Sequence, residues 1–509
     1  MSISYKEILN LKNLNDFKAD DVTNLLAIIF ETGRENKSKK DIIFGLNLSE
    51  KQNLENFSDE NKMIFHFNVA NGWSYLQQLN ENIRSDEFWD FNLEESEKQV
   101  IHLRLALSFS GKSVNNYKKC EILTNLGIIF NHLGRFSEAQ SYWQQAIKID
   151  SSFSMAIGNI GYNLVHYSKI LYDNGHQLLF LKFAYKYLNK AIDSDIYEEA
   201  KIAFKNTSTF LESIVKIEEL KDIQNLENFS IGNTQEEQEY RTWCLKKKLF
   251  LNPLNDIIID NIAGHDCLFL PTITLKFDKP PIYQTIFNQI KQEFVFARHL
   301  LFEGLTHKTT HYSDKDNIQL DTLDYAVYSH SSEKIKTTFR ICYSILDKIG
   351  YLINDYLNLD YKPHEVSFRS IWTLSDKKTK KTKINNKIIE TQNWAFRGLY
   401  WLSKDLYEKN EEFSLSIEPE AKKLAQIRNF IEHKSFKIVE FGETGLSDNE
   451  LTYVITREEF EKKTLKLVTL IRASVIYLSL GINLEEKKKI IFQPALPIDF
   501  IELRDEFKR

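Results

Sequence analysis

Leu126-Gly127 and Ile160-Gly161 stand 34 residues apart, and each pair opens the same alternation of small and large residues. In residues 120–153, CEILTNLGIIFNHLGRFSEAQSYWQQAIKIDSSF, the small Gly127, Ala139 and Ala146 let two antiparallel helices approach. Leu126, Phe130 and Trp143 fill the space between them. After Ile160-Gly161 the second helix is delayed by an insertion of 11 residues, so that Ala184, Leu188 and Ala191 take the places of Ala139, Trp143 and Ala146. Upstream, Asn71-Gly72 with Ala106 reads as a third and more degenerate copy. A unit of this period cannot bury its apolar face alone and must stack on its neighbours. Turn formers are scarce throughout, with 17 Gly and 8 Pro in 509 residues, against averages of roughly 7% and 5%. Sandwiches, barrels and propellers need many turns, so the expected fold is all-α, built from long helices with short connections.

The 120–153 segment resembles a tetratricopeptide repeat, because Leu126, Gly127, Phe130, Gly134, Ala139, Trp143 and Ala146 fall at the spacings of that pattern. Ser151 replaces the proline with which the family closes its repeat. The resemblance implies tetratricopeptide-like helical repeats over residues 61–215, behind an N-terminal helical segment at 1–60. Such a module would serve as a sensor or docking surface for a protein or peptide trigger.

The net charge is −5, too small to announce nucleic acid by itself. Cys120, Cys244, Cys267 and Cys342 form no C-x-x-C pair, which argues against zinc knuckles and redox motifs and for reduced, mostly buried thiols. The opening MSISYKEILNLKNLNDFKADD lacks the apolar core of a signal peptide, and no run approaches 18 apolar residues. The expectation is a cytoplasmic protein without a membrane span.

Residues 216–282 break the helical pattern with Pro253, Pro271, Pro280 and Pro281, and their apolar content predicts a packed connector. From 283 to 509 the helical period returns, with expected helices at 283–306, 321–359, 393–409, 419–440 and 456–480. Ile286, Ile290, Phe294, Ala297, Leu301 and Leu305 trace one apolar stripe, and Leu323, Val327, Ile335, Phe339, Cys342, Ile345, Ile349 and Ile353 another. Together these helices predict a bundle.

Within the 419–440 helix lies Arg428-Asn429-Phe430-Ile431-Glu432-His433. Leu424, Ile427 and Ile431 form its apolar stripe, while Asn429 with His433, and Arg428 with Glu432, share faces one turn apart. A permanent cation thus sits beside a group that ordinarily titrates near neutrality. The pair suits cleavage of an RNA phosphodiester by its own 2′-hydroxyl: the imidazole moves the proton and the guanidinium holds the phosphorane charge. The plainer alternative is a surface ion pair between Arg428 and Glu432, with His433 complementing the helix dipole.

Arg428, four residues and His433, with Asn429 after the arginine, resemble the ribonuclease motif of the HEPN superfamily. The surroundings LDYAVYSH, FRICYSILDKIG, LYWLSKDL and IRNFIEHKSF, and the upstream LNPLND, resemble a branch of it that is found behind helical repeats. The resemblance implies a HEPN-type helical bundle that dimerises through the motif helix, with a composite, metal-free and cofactor-free ribonuclease site. It implies that Arg428 and His433 are catalytic and Asn429 supports them. Glu432 either orients Arg428 or is only its partner one turn on. Lys377, Lys378, Lys380 and Lys381 in the basic loop 377–387, and Lys434, are the candidates for holding RNA phosphates.

Other features read as structural. His307 and His311 lack a third metal ligand, Arg298-His299 and the helix bearing Trp394, Arg397 and Trp401 read as packed, and GETGLSDNE lacks the lysine of a phosphate loop. Asp324 and Tyr325 match the branch's pattern without an assigned role. The expected function is a metal-independent endoribonuclease leaving 2′,3′-cyclic phosphate, a defence or toxin-like effector regulated through its repeats. Two rivals are a non-catalytic dimerising scaffold and a HEPN toxin silenced by a nucleotidyltransferase partner.

Overall fold

The computed structural model describes residues 4–81, 91–111, 115–223, 229–274, 280–307, 309–375, 382–406, 418, 421–446, 450–489 and 502–508. Among these the chain is almost entirely helical. Three N-terminal helices, α1 (Tyr5–Ile8), α2 (Ala19–Glu35) and α3 (Lys39–Glu50), pack with α4 (Asp59–Glu81) around a small core of their own that includes Leu26, Ile29, Phe30, Ile42 and Val69. α5 (Glu94–Phe109) lies against α4, and two further pairs follow in order, α6 (Asn116–His132) with α7 (Phe136–Ile149) and α8 (Ser154–Ile170) with α9 (Asn174–Ile192). α10 (Glu198–Ile214) and the short α11 (Ile217–Lys221) both pack on α9.

The pairing of α6 with α7 follows from volume. A Cβ on Gly127 would lie 2.3 Å from the Trp143 ring nitrogen, so only glycine leaves room for that indole. In α8, Gly161 plays the same part toward Ala184 and Leu188 of α9. Gly72 differs: its nearest neighbour is the Phe30 ring of α2, so its small size serves the N-terminal helices rather than a contact like that of Gly127.

After α12 (Gln235–Lys247) the chain runs through LNPLND as a short 3-10 turn, Pro253–Asp256, that is buried throughout. Asn252 caps it by accepting from the Leu254 N–H at 2.9 Å. Asp256 accepts from Arg472 at 2.5 Å, Ser137 at 2.8 Å and Tyr167 at 3.0 Å, three groups from three distant stretches of chain.

The C-terminal helices are α13 (Ile282–Thr306), α14 (His330–Tyr356), α15 (Asn386–Ile389), α16 (Trp394–Ser403), α17 (Ala421–His433) and α18 (Arg457–Lys488). α18 packs against α13, α14 and α16 as the central element. By length and composition it could cross a membrane, but 89% of its most apolar stretch is buried inside the fold. One continuous apolar core extends from Met63 through the connector to Ile482.

Several sequence expectations need correction. The fold is not purely α. β1 (Thr373–Ser375) and β2 (Thr382–Ile384) form an antiparallel hairpin, and β3 (Ser435–Val439), β4 (Gly445–Leu446) and β5 (Thr452–Thr456) form a sheet ordered β3-β5-β4 with β3 parallel to β5. The helix expected at 419–440 ends at His433, because SFKIV buries Phe436, Ile438 and Val439 against TYVIT as a strand. The helix expected at 321–359 starts at His330, where Ser329 caps it by accepting from the Ser332 N–H at 3.2 Å. Residues before it run beside β3 instead, with the Val327 N–H donating to the Ile438 carbonyl at 2.8 Å. The helix expected at 393–409 ends at Ser403, and the one expected at 456–480 continues to Lys488.

Candidate active site on the α17 face

α17 is positioned by five buried side chains, Ala421, Leu424, Ile427, Phe430 and Ile431, which hold one side of the helix against α14 and the β3–β5 pair. The opposite side is polar, and Arg428, Asn429, Glu432 and His433 are all exposed on it. Arg428 and His433 are five positions apart, with four residues between them, about 7.5 Å of helix rise.

Arg428 is held from α14. Its guanidinium lies 3.9 Å from the Asp347 carboxylate and 4.8 Å from the centre of the Tyr343 ring. Burial raises the pKa of the Asp347 carboxyl above the ordinary aspartate range, and the Arg428 charge pulls it the other way. Both interactions restrict the guanidinium plane while leaving its outer edge in solvent, with the side chain 49% exposed.

Glu432 departs from both readings of the sequence. Among the described residues its ionic partner is Arg340 of α14 at 3.7 Å, not Arg428. Arg340 also donates to the Ile431 carbonyl at 2.7 Å, near the C-terminal end of α17 where carbonyl dipoles attract cations. His433 is exposed and has no hydrogen-bond or ionic partner among the described residues. Lys434 follows directly, its ammonium 4.9 Å from the Phe430 ring centre and 3.4 Å from the Glu450 carbonyl. Lys377, Lys378, Lys380 and Lys381 lie outside the described residues.

Arg340, Tyr343 and Asp347 escape a reading of the motif helix alone. Their spacing of i, i+3 and i+7 in FRICYSILDKIG places them along one face of α14, and that is the signal by which they could have been found. Asp324 also gains a place: its carboxylate pairs with Lys437 of β3 at 2.6 Å. On either side of it, Leu323 and Tyr325 have φ of 56° and 58°, unusual for side-chain-bearing residues.

Other candidates are structural. Arg298 is buried and forks onto Asp266 at 2.8 and 2.9 Å. Trp401 is buried, and its indole donates to the Phe91 carbonyl at 2.7 Å; Trp394 donates to the Asn131 carbonyl at 2.9 Å. Arg397 is buried, donating to the His132 carbonyl at 3.3 Å. Among the described residues no group of three or more His, Cys, Asp or Glu is arranged to hold a metal ion.

A family model described as LA2681-like HEPN matches residues 274–485, a span that runs from just before α13 to near the end of α18 and contains all of α17. A HEPN-type domain is therefore present over those residues. Neither a curated protein nor a solved structure matches the chain.

Proposed function

We propose that this chain is an endoribonuclease whose HEPN-type domain cleaves RNA without a metal, using Arg428 and His433. The observation that carries the reading is the asymmetry of α17: a guanidinium braced by Asp347 and Tyr343 and, five positions on, an exposed imidazole without a hydrogen-bond or ionic partner among the described residues. A braced cation can meet developing charge with little reorganisation, and an unengaged imidazole can exchange a proton with substrate.

In the proposed step His433 accepts the proton of an RNA 2′-hydroxyl. The 2′-oxygen bonds to phosphorus, the bond to the 5′-oxygen breaks, and a proton passes to that leaving oxygen. The products are a 2′,3′-cyclic phosphate and a 5′-hydroxyl. Arg428 stabilises the phosphorane oxygens, Asn429 supports the site from the face it shares with His433, and Lys434 attracts the phosphate backbone. One histidine can supply the base; pairing of two α17 faces in a homodimer adds a second imidazole as the acid. Glu432 acts through Arg340, by keeping that side chain at the end of α17.

The repeats would regulate this activity in a defence or toxin-like effector of the cytoplasm, where the four free cysteines would remain reduced. An open groove of about 1210 Å³, lined by α4, α5, α6 and the turn after α9, offers a protein or peptide trigger a concave seat. Asn68, Asn71, Gln78 and Asn125 line it; Asn68 donates to the Thr23 carbonyl at 2.9 Å and Asn125 to the Asn71 side-chain oxygen at 3.3 Å, so a bound backbone would extend or replace these contacts.

The test is incubation of the purified full chain with total RNA in EDTA, beside His433→Ala. Cleavage by the wild type alone, with cyclic-phosphate ends, is expected. Cleavage abolished by EDTA or leaving plain 3′-hydroxyls would overturn the mechanism. Absence of cleavage by a dimer with or without ligands in the groove would favour the scaffold.

A further inference from the structure

Arg104, on α5, reaches out of the repeat half and holds two carboxylates of the other half with one guanidinium. Its two terminal nitrogens fork onto Asp405 at 2.6 and 3.0 Å, and one of them lies 3.4 Å from Glu418. Asp405 follows the end of α16, and Glu418 stands three residues before the first residue of α17. The two acids are 13 residues apart in the chain, yet one side chain fixes both.

All three groups are buried, so each charge depends on the others for compensation. Asp405 is also held by Arg135 at 2.6 Å, which is pinned in turn by Glu138. These guanidinium charges keep the Asp405 carboxyl well below the ordinary range in spite of its burial. Glu418 has a second cation, Lys466 of α18, at 3.0 Å, whose side chain is partly exposed. Asp405 therefore has two buried guanidinium partners, and Glu418 is held by the buried Arg104 on one side and by Lys466 on the other.

The same helix borders the groove: Gln99 and Leu103 of α5 line it, and Leu103 is next to Arg104 in the chain. His132, three residues before Arg135, lines it too, and its carbonyl receives Arg397 of α16. α5 therefore faces the groove on one side and Glu418, ahead of α17, on the other, while the end of α6 faces the groove and α16.

We propose that Arg104 is a positioning residue for α17. By fixing Glu418 it sets where the helix begins, and hence how Arg428 and His433 are presented, and it makes α5 the element through which an occupant of the groove acts on that helix. The consequence for RNA rests on the ribonuclease reading; the placement of α17 does not.

The experiment is hydrogen–deuterium exchange on the full chain, followed peptide by peptide, with RNA cleavage measured on the same preparations. Glu418→Gln keeps the shape and leaves the Arg104–Asp405–Arg135 cluster in place, so it loosens α17 without dismantling the seam. Loss of a charge-assisted contact should raise exchange of the 422–433 amides about tenfold, while α8 and α13 exchange as in the wild type. Arg104→Met should do the same or more. Arg104→Lys should restore only part of the protection, because an ammonium lacks the fork that grips two acids. Unchanged exchange of α17 in both Glu418→Gln and Arg104→Met would overturn the proposal even where the wild type cuts RNA. Raised exchange confined to α17 supports it even where the wild type cuts none, and then the ribonuclease reading alone fails. Should Arg104→Met unfold the whole chain, Glu418→Gln decides.

Discussion

The Asp347 carboxylate on α14 approaches the Arg428 guanidinium on α17 to 3.9 Å across the seam between the two helices. It is thus the partner that selects one orientation of the arginine, with the Tyr343 ring beneath. Asp347→Asn should leave Arg428 charged but less constrained. The expected result is RNA cleavage slower by about tenfold, from poorer preorganisation, with folding stability at neutral pH unchanged or slightly raised because a partly buried carboxylate is gone. Single-turnover rates and urea midpoints check the two halves of this statement.

Arg428 and His433 are exposed, so replacing them should separate catalysis from folding. His433→Ala should slow cleavage by about 10²–10⁴-fold, the usual contribution of a general acid–base group. Arg428→Ala should lose at least as much, with Arg428→Lys recovering part of it. Circular dichroism and thermal midpoints should stay within a few degrees of wild type, as is usual at exposed positions. Normal cleavage by His433→Ala would remove it from the site.

Assembly gives another test. The polar face of α17 carries the proposed site, and its Arg428, Asn429, Glu432 and His433 are exposed. A homodimer joined through that face is expected by light scattering at micromolar concentration. A monomeric mass with full ribonuclease activity would sink the composite site.

Stability should fall in mild acid for a reason located far from α17. His66 on α4 and His102 on α5 face each other with their Nδ1 atoms 3.0 Å apart, an arrangement that needs one ring to donate and the other to accept. Burial lowers the pKa of His66 to about 4 and, with the neighbouring His66 and Lys98, that of His102 to about 3. Below pH ~6.5 the unfolded chain binds protons on these rings that the folded chain refuses, so stability is fully present above that pH and declines as pH falls toward 4. Urea midpoints should drop over this window in the wild type. His66→Phe with His102→Leu should shrink the drop and leave the part due to the other buried imidazoles, His132 among them, which burial lowers to about 4.

Gly134 and Gly398 meet across the boundary between α6–α7 and α16. A Cβ on Gly134 would lie 2.0 Å from the Trp394 carbonyl oxygen, and one on Gly398 2.3 Å from the Gly134 carbonyl oxygen. Gly134 also has φ of +81°, where a side chain is strained. Either alanine substitution should cost on the order of 3 kcal/mol or more, at the high end for single changes. A urea midpoint near wild type for both would mean that the seam yields easily.

What was legible in the sequence was mostly local. The fit of Gly127 to Trp143 and of Gly161 to Leu188 follows from volumes at helical spacing, and the apolar stripes of α13 and α14 follow from period. The β3 strand was not legible, because SFKIV continues the apolar content of the helix before it and the partner strand TYVIT stands beyond an intervening loop. The sequence also hid the work of LNPLND: Asp256 meets Arg472 across 216 residues, and no spacing rule reaches so far. At the α17 face, the motif residues were readable from one helix. Arg340, Tyr343 and Asp347 become partners only when α14 is laid alongside.

The contact between Gly134 and Gly398 bears on how such a protein can change over generations. Two backbones pressed together without side chains leave no slack for exchanging one half like a cassette. A different set of repeats grafted ahead of α13 would have to reproduce that bare turn, the carbonyls that receive Trp394 and Trp401, and the counter-charges for Asp405. Expressed alone, the C-terminal half would present Trp401, Arg397 and Asp405 to water and should be recovered aggregated rather than active. The parts proposed to sense and to cut are in that sense inherited together, as one folded object.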